Sequence, residues 1–316
     1  MKASHRPEDS SPLTAKPAAF DSVPPPPVVS DREEQAAPRS RWLQALLGWA
    51  LAPSSRGRFF RLRVSLLLVI LSVVVLRGGT DWYERRVRTS WHRPLSVALV
   101  LVERDVIEPS TLALVNDRAR TLEQRLASEY RRHAGRDLAP VSFVVTTAVK
   151  VDQPPPSMRE QSLLGLVSGT YDRWRWTRDI DALAGVEPSA YDARVYLVMK
   201  QAGHDLAFVE GDSEFGGRVA VAQVDIEPEM VDFSLFVVAH ELMHTLGASD
   251  KYDADGRAVY PSGFAEPTRL PLYPQPGAEV MARNVPVAAR SERPPNTLDE
   301  LFVGETTALE IGWRRP

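Results

Sequence analysis

The stretch Phe233–Asp253, FSLFVVAHELMHTLGASDKYD, constrains this chain more than any other. Its apolar residues run almost unbroken to Leu246, which predicts a buried helix over Phe233–Leu246. On that helix His240 and His244 are four residues apart, about 40° around the axis and roughly 6 Å along it, so both imidazoles can reach one cation. Glu241 lies between them and, as a carboxylate beside a metal-activated water, is suited to take a proton from that water and hand it to a leaving group. Gly247 follows three residues after His244, where a helix must stop, and glycine adopts the left-handed conformation such a stop requires. Three residues further on is Asp250, an oxygen ligand that the returning chain can bring to the same ion.

The run His240-Glu241-x-x-His244-x-x-Gly247-x-x-Asp250 resembles the metzincin clan of zinc peptidases, in the variant found in snapalysin-type proteases whose third ligand is aspartate. Two helix histidines with ordinary partners are common; a glutamate, a helix-ending glycine and an aspartate all in step with them are not. Zinc, as one catalytic Zn2+, is the expected cofactor, because two neutral nitrogens, one carboxylate and a water make an open four-coordinate site. The resemblance further implies a methionine turn beneath the metal, for which Met281 in Ala278–Arg283 is the candidate. Tyr252 is a candidate donor to a developing oxyanion. If Asp250 caps the helix instead, Glu266 or Glu279 is the alternative third ligand, although Gly247 argues for the bend that delivers Asp250.

Charge is divided unevenly along the 316 residues: positions 1–93 carry 15 Lys and Arg against 8 Asp and Glu, and the remainder 23 against 33. A basic front followed by an acidic body fits a membrane-proximal anchor and excludes a nucleic-acid binder, since the body has no basic-aromatic patch. There is no cysteine, so disulfides and thiolate ligands are excluded.

Residues 1–40, rich in Pro, Ser and Ala, are expected to be a disordered tail. Residues 41–58 carry Trp42 and Trp49 and suit a membrane interface. Phe59–Leu76 is an eighteen-residue apolar run spanning about 27 Å as a helix if Arg61 and Arg63 snorkel. No A-x-A-like site follows Leu76, so the expectation is an uncleaved, single-pass transmembrane signal anchor in contact with lipid, followed by a linker over 77–94. The peptidase-like domain would lie outside the cytoplasm, at a bacterial inner membrane.

From residue 95 to 316 the pattern is α+β (mixed α/β), with a twisted mixed sheet, the HExxH helix, then a loop-rich C-terminal subdomain with a closing helix. Leu95–Val102 reads as a buried strand and Thr111–His133 as an amphipathic helix with Leu112, Val115, Ala119, Leu122 and Leu126 on one stripe. Val141–Val151 is a second strand and Ala193–Lys200 a third. Met158–Leu183 is helical or irregular, its Tyr171, Trp174 and Trp176 read as core, with a cleft wall as the alternative. Asp205–Glu210 and Arg218–Asp225 form a hairpin around Gly211, Gly216 and Gly217. By the resemblance, Arg218–Asp225 would be the sheet edge along which a peptide or protein substrate binds. Asp253, Asp255 and Gly256 read as a plain turn, and Thr297–Trp313 as the closing helix, with Thr297 as its cap and Glu300 three residues on.

The leading function is a membrane-anchored zinc endopeptidase. Two alternatives stay open: a silent, membrane-tethered zinc- or peptide-binding protein, and a zinc aminopeptidase or other amide hydrolase with a glutamate third ligand.

Overall fold

In the computed structural model, residues 57–156, 163–201, 209–213 and 216–315 are described. The expectations for 1–40 and for nearly all of 41–58 lie outside these residues. The first described element is helix α1, Gly57–Arg88, 32 residues long. Its stretch Phe59–Arg88 is long and apolar enough to cross a membrane, and the apolar window is wholly exposed. The helix continues through most of the stretch expected to be a linker, and the chain beyond it is buried by Trp91.

The sheet is built from β1 (Leu95–Glu103), β2 (Val141–Val145), β3 (Val149–Lys150), β4 (Ala193–Gln201), β5 (Val209–Ser213) and β6 (Val219–Ile226), in the order β2-β1-β4-β6-β5, with β3 also paired to β1. All pairs are parallel except β5 with β6. Strand β1 explains why: its side chains alternate between two apolar clusters, Val97, Leu99 and Leu101 on one face and Ala98, Val100 and Val102 on the other. A strand buried on both faces needs helices on both, which parallel crossovers supply. On the first face pack α2 (Pro109–Ala134), through Val115, Ala119, Leu122 and Leu126, and the helix of the histidines, α4 (Val231–Thr245). On the second packs α3 (Leu163–Ala184), through Trp176 and Ile180.

Four expectations are corrected. The strand Val141–Val151 is two strands, because at the break Thr146 turns its hydroxyl to accept from Leu101 N. Of the three aromatics on α3 only Trp176 is core; Tyr171 and Trp174, three residues apart and so on the opposite face, are 58% and 53% exposed. Strand β6, covering most of the predicted edge Arg218–Asp225, is interior: it lies between β4 and β5, and among the described residues β5 is the edge.

The closing helix is the fourth. Thr297–Trp313 folds as a short turn, strand β10 (Leu301–Phe302), and only then helix α5 (Glu305–Glu310), with no side-chain cap from Thr297. Tertiary pairing overrides the helical pattern here. β10 pairs with β7 (Ala278–Glu279), Val303 N donates to Glu129, and Gly304 N donates to Glu279. A small hairpin of β8 (Val285–Ala288) and β9 (Ser291–Arg293) completes this region. Trp91, Tyr130 and Trp313 form a buried aromatic triad with centroids 5.5–5.9 Å apart.

Candidate metal centre

Helix α4 is buried along nearly its whole length, which is why its sequence is apolar on every side rather than on one stripe. Its start is fixed by Asp232, in the first turn, where a carboxylate complements the helix dipole; Asp232 pairs bidentately with Arg118 of α2 and accepts from Leu298 N. Its end is fixed by Gly247 at φ 93°, with Gly247 N donating to His244 O and Ala248 N to Met243 O. A residue with a Cβ is disfavoured at such a φ.

The two imidazoles are oriented from behind. His240 Nδ1 lies 2.8 Å from Val280 O and His244 Nδ1 lies 2.8 Å from Ala248 O. A carbonyl oxygen only accepts, so Nδ1 carries a proton in both rings, and each Nε2 offers a lone pair when its ring is neutral and donates to Asp250 when it is protonated. Those two Nε2 atoms are 3.1 Å apart, and Asp250 Oδ1 lies 3.4 Å from the first and 3.2 Å from the second.

Three electron-pair donors converging this closely repel one another unless a cation lies among them. The triangle has the size a tetrahedral ion needs: bonds of about 2.0–2.1 Å give ligand separations of about 3.3 Å. His240, His244 and Asp250 can therefore hold a metal ion. Ligand imidazoles whose second nitrogen donates to a backbone carbonyl are the usual arrangement in metal sites.

In the metal-free protein the same convergence shifts the titration. Burial favours the neutral form of Asp250, but hydrogen bonds from His240 and His244 outweigh it and hold the carboxyl well below its usual range. Burial lowers the pKa of His244, and the hydrogen bond to Asp250 with the charges of Glu241 and Asp250 more than reverses this.

Glu241 is 4% exposed, with Oε1 3.9 Å from His240 Nε2. Gly211 of edge strand β5 presses against it: a Cβ at 211 would overlap Glu241 Oε1. Tyr252 lies beside the ligands, its ring stacked on that of His240 at 6.4 Å, with the Arg283 guanidinium 5.5 Å over its face; burial and the nearby Asp250 charge push its hydroxyl pKa up. Met281 is fully buried, and its segment supports the site through the backbone: Val280 O accepts from His240, and Met281 O accepts from Lys251 N.

Neither alternative third ligand belongs to the group of ligand atoms that converges with the two imidazoles. Glu279 is wholly buried and accepts from Met281 N, Gly304 N and Thr307, while Glu266 pairs with Arg269. Asp253 accepts from the backbone of Asp255 and Arg257, a plain turn.

Sequence reasoning missed the three residues that fasten the Asp250 loop, Ser249, Lys251 and Glu310. Glu310 accepts from Ser249 N and Ser249 Oγ on one side of Asp250 and from Lys251 Nζ on the other. These partners are about 60 positions apart in sequence and carry no periodic signal; only the fold brings them together.

No family model matches this chain, and no curated protein does. Solved structures similar to it include a chaperone–substrate complex, at 12% identity and a TM-score of 0.29 over 69% of this chain and 33% of that one. Another is wild-type OgpA from Akkermansia muciniphila, at 13% identity and a TM-score of 0.34 over 69% of this chain and 60% of that one. The chain spans less than two thirds of either, and likenesses of this size leave the reading to the site itself.

Proposed function

We propose that this chain is a membrane-anchored zinc endopeptidase of metzincin-like organisation. The observation that carries the reading is the triangle of His240 Nε2, His244 Nε2 and Asp250 Oδ1, with sides of 3.1–3.4 Å, with Glu241 beside it. Zinc held there would polarise an attacking water and the scissile carbonyl. The chain's own part is proton movement and orientation. Glu241 takes a proton as the water oxygen bonds to the carbonyl carbon, and returns it to the amine nitrogen as the C–N bond breaks. Tyr252, its ring against that of His240, would donate a hydrogen bond to the oxygen that gains charge in between.

The substrate would be an extended peptide added to the outer side of β5, the edge strand that carries Gly211 against Glu241. The anchor would be the apolar part of α1, in a bacterial inner membrane with the domain outside the cytoplasm. The test is Glu241→Gln, which should keep the metal and lose hydrolysis of a casein-type substrate by orders of magnitude. A variant that cleaves as fast as the parent removes the mechanism.

A further inference from the structure

The C-terminal turn of α1 does more than join an apolar helix to a domain. Arg88 is 6% exposed, and its guanidinium donates to two successive carbonyls, Gly217 O at 2.6 Å and Gly216 O at 3.0 Å. The N–H of that same Gly216 donates to His244 O at 2.9 Å, and Gly247 N donates to the same carbonyl at 2.9 Å. One turn earlier, the Arg85 side chain fills the space a Cβ would take at Gly247 and lies against Gly216 as well. Gly216 and Gly247 both have positive φ, 71° and 93°, so the two bends that meet at His244 are both tight turns that glycine permits.

A continuous path results. Arg88 holds the turn between β5 and β6, that turn holds the carbonyl of a metal-ligand residue, and Arg85 covers the glycine from which the chain swings out to Asp250. Buried guanidinium-to-carbonyl bonds are charge-assisted and directional, and lysine cannot reproduce the planar fork.

We propose that Arg85 and Arg88 are positioning residues for the metal ligands, so that the last turn of the anchoring helix is a working part of the metal centre. The proposal rests on the metal reading of the site. It means that the centre is fully assembled only when α1 is docked, and that a chain severed downstream of Arg88 would hold its metal loosely.

The test uses the full chain in detergent micelles. Zinc affinity is measured by competition with a chromophoric chelator, and the ligand geometry by the visible spectrum of the cobalt-loaded protein. Arg88→Lys and Arg85→Ala are compared with the parent and with Arg77→Gln, a charge change on the same helix two turns away. Both test variants should lose about tenfold or more in zinc affinity, as losses behind a ligand do, and alter the cobalt spectrum. The Arg77→Gln control should match the parent, and the metal-free proteins should all melt together. Affinities within twofold of the parent would overturn the proposal while leaving the proposed function standing. So would losses that only track a lower melting temperature of the metal-free protein. A parent that binds no metal overturns both.

Discussion

Lys251 Nζ lies 2.8 Å from Glu310 Oε2, joining the residue that follows Asp250 to the last turn of α5. The lysine is 4% exposed, and its other bonds go to Ser249 O and Oγ. Glu310→Ala strands a buried ammonium, so it should cost about 1–3 kcal/mol of stability and loosen the Asp250 loop. Thermal melts and chelator competition on the same preparation measure both effects; unchanged zinc affinity would separate this clamp from the ligand.

Metal-free and metal-loaded protein should respond to pH with opposite signs. His244 has a raised folded pKa, so its contribution is fully present below about 6.5, the unfolded value, and is lost as pH rises through the folded one. Asp250 is depressed, so its contribution is present above about 3.9 and is lost as pH falls through the folded value. The metal-free protein should therefore melt higher at pH 5.5 than at pH 8. Loading reverses this limb, because protons compete with the metal for the imidazoles. Melts at both pH values, with and without chelator, check it; parallel slopes would contradict it.

Gly211→Ala places a methyl where Glu241 Oε1 now sits. The carboxylate end is the movable partner, so it should be pushed aside. Hydrolysis should fall at least tenfold while zinc stays bound, the same signature as Glu241→Gln. Loss of zinc together with activity would mean that the edge strand, not the carboxylate, had shifted.

Gly247→Ala meets both an unfavourable φ and the Arg85 guanidinium. A left-handed alanine alone costs about 1–2 kcal/mol, and the steric conflict adds to it. Zinc affinity should drop more than in Glu310→Ala, because the bend that delivers Asp250 is itself deformed. Titration of the purified variants side by side gives the order.

How much of this was legible in the sequence follows the range of the forces involved. The grouping of His240 and His244 could be read because the spacing of one helix turn is local, and that of Asp250 with them because a single glycine sets the bend before it. The strand Leu95–Val102 and the stripe on α2 were equally local. Strand order was not: whether β6 or β5 forms the edge depends on which strand pairs with β4, and β5, VEGDS, has too little apolar pattern to announce itself as a strand beyond β6. Thr297–Trp313 has helical composition, yet Leu301 and Phe302 are captured by Ala278 and Glu279 across more than twenty residues. The roles of Lys251, Glu310, Arg85 and Arg88 depend on partners farther off still.

Trp91 and Trp313 meet edge-on at 5.7 Å, and Trp91 Nε1 donates to Ile311 O. The chain just after the apolar helix is thus stapled to the chain just before its C-terminus, with Tyr130 closing the contact. A recombinant fragment beginning at Leu95, where the first strand starts, would lack one jaw of this staple and expose the faces of two aromatic rings. Expression boundaries drawn by secondary structure alone would cut through the seam between the segment after α1 and the segment after α5.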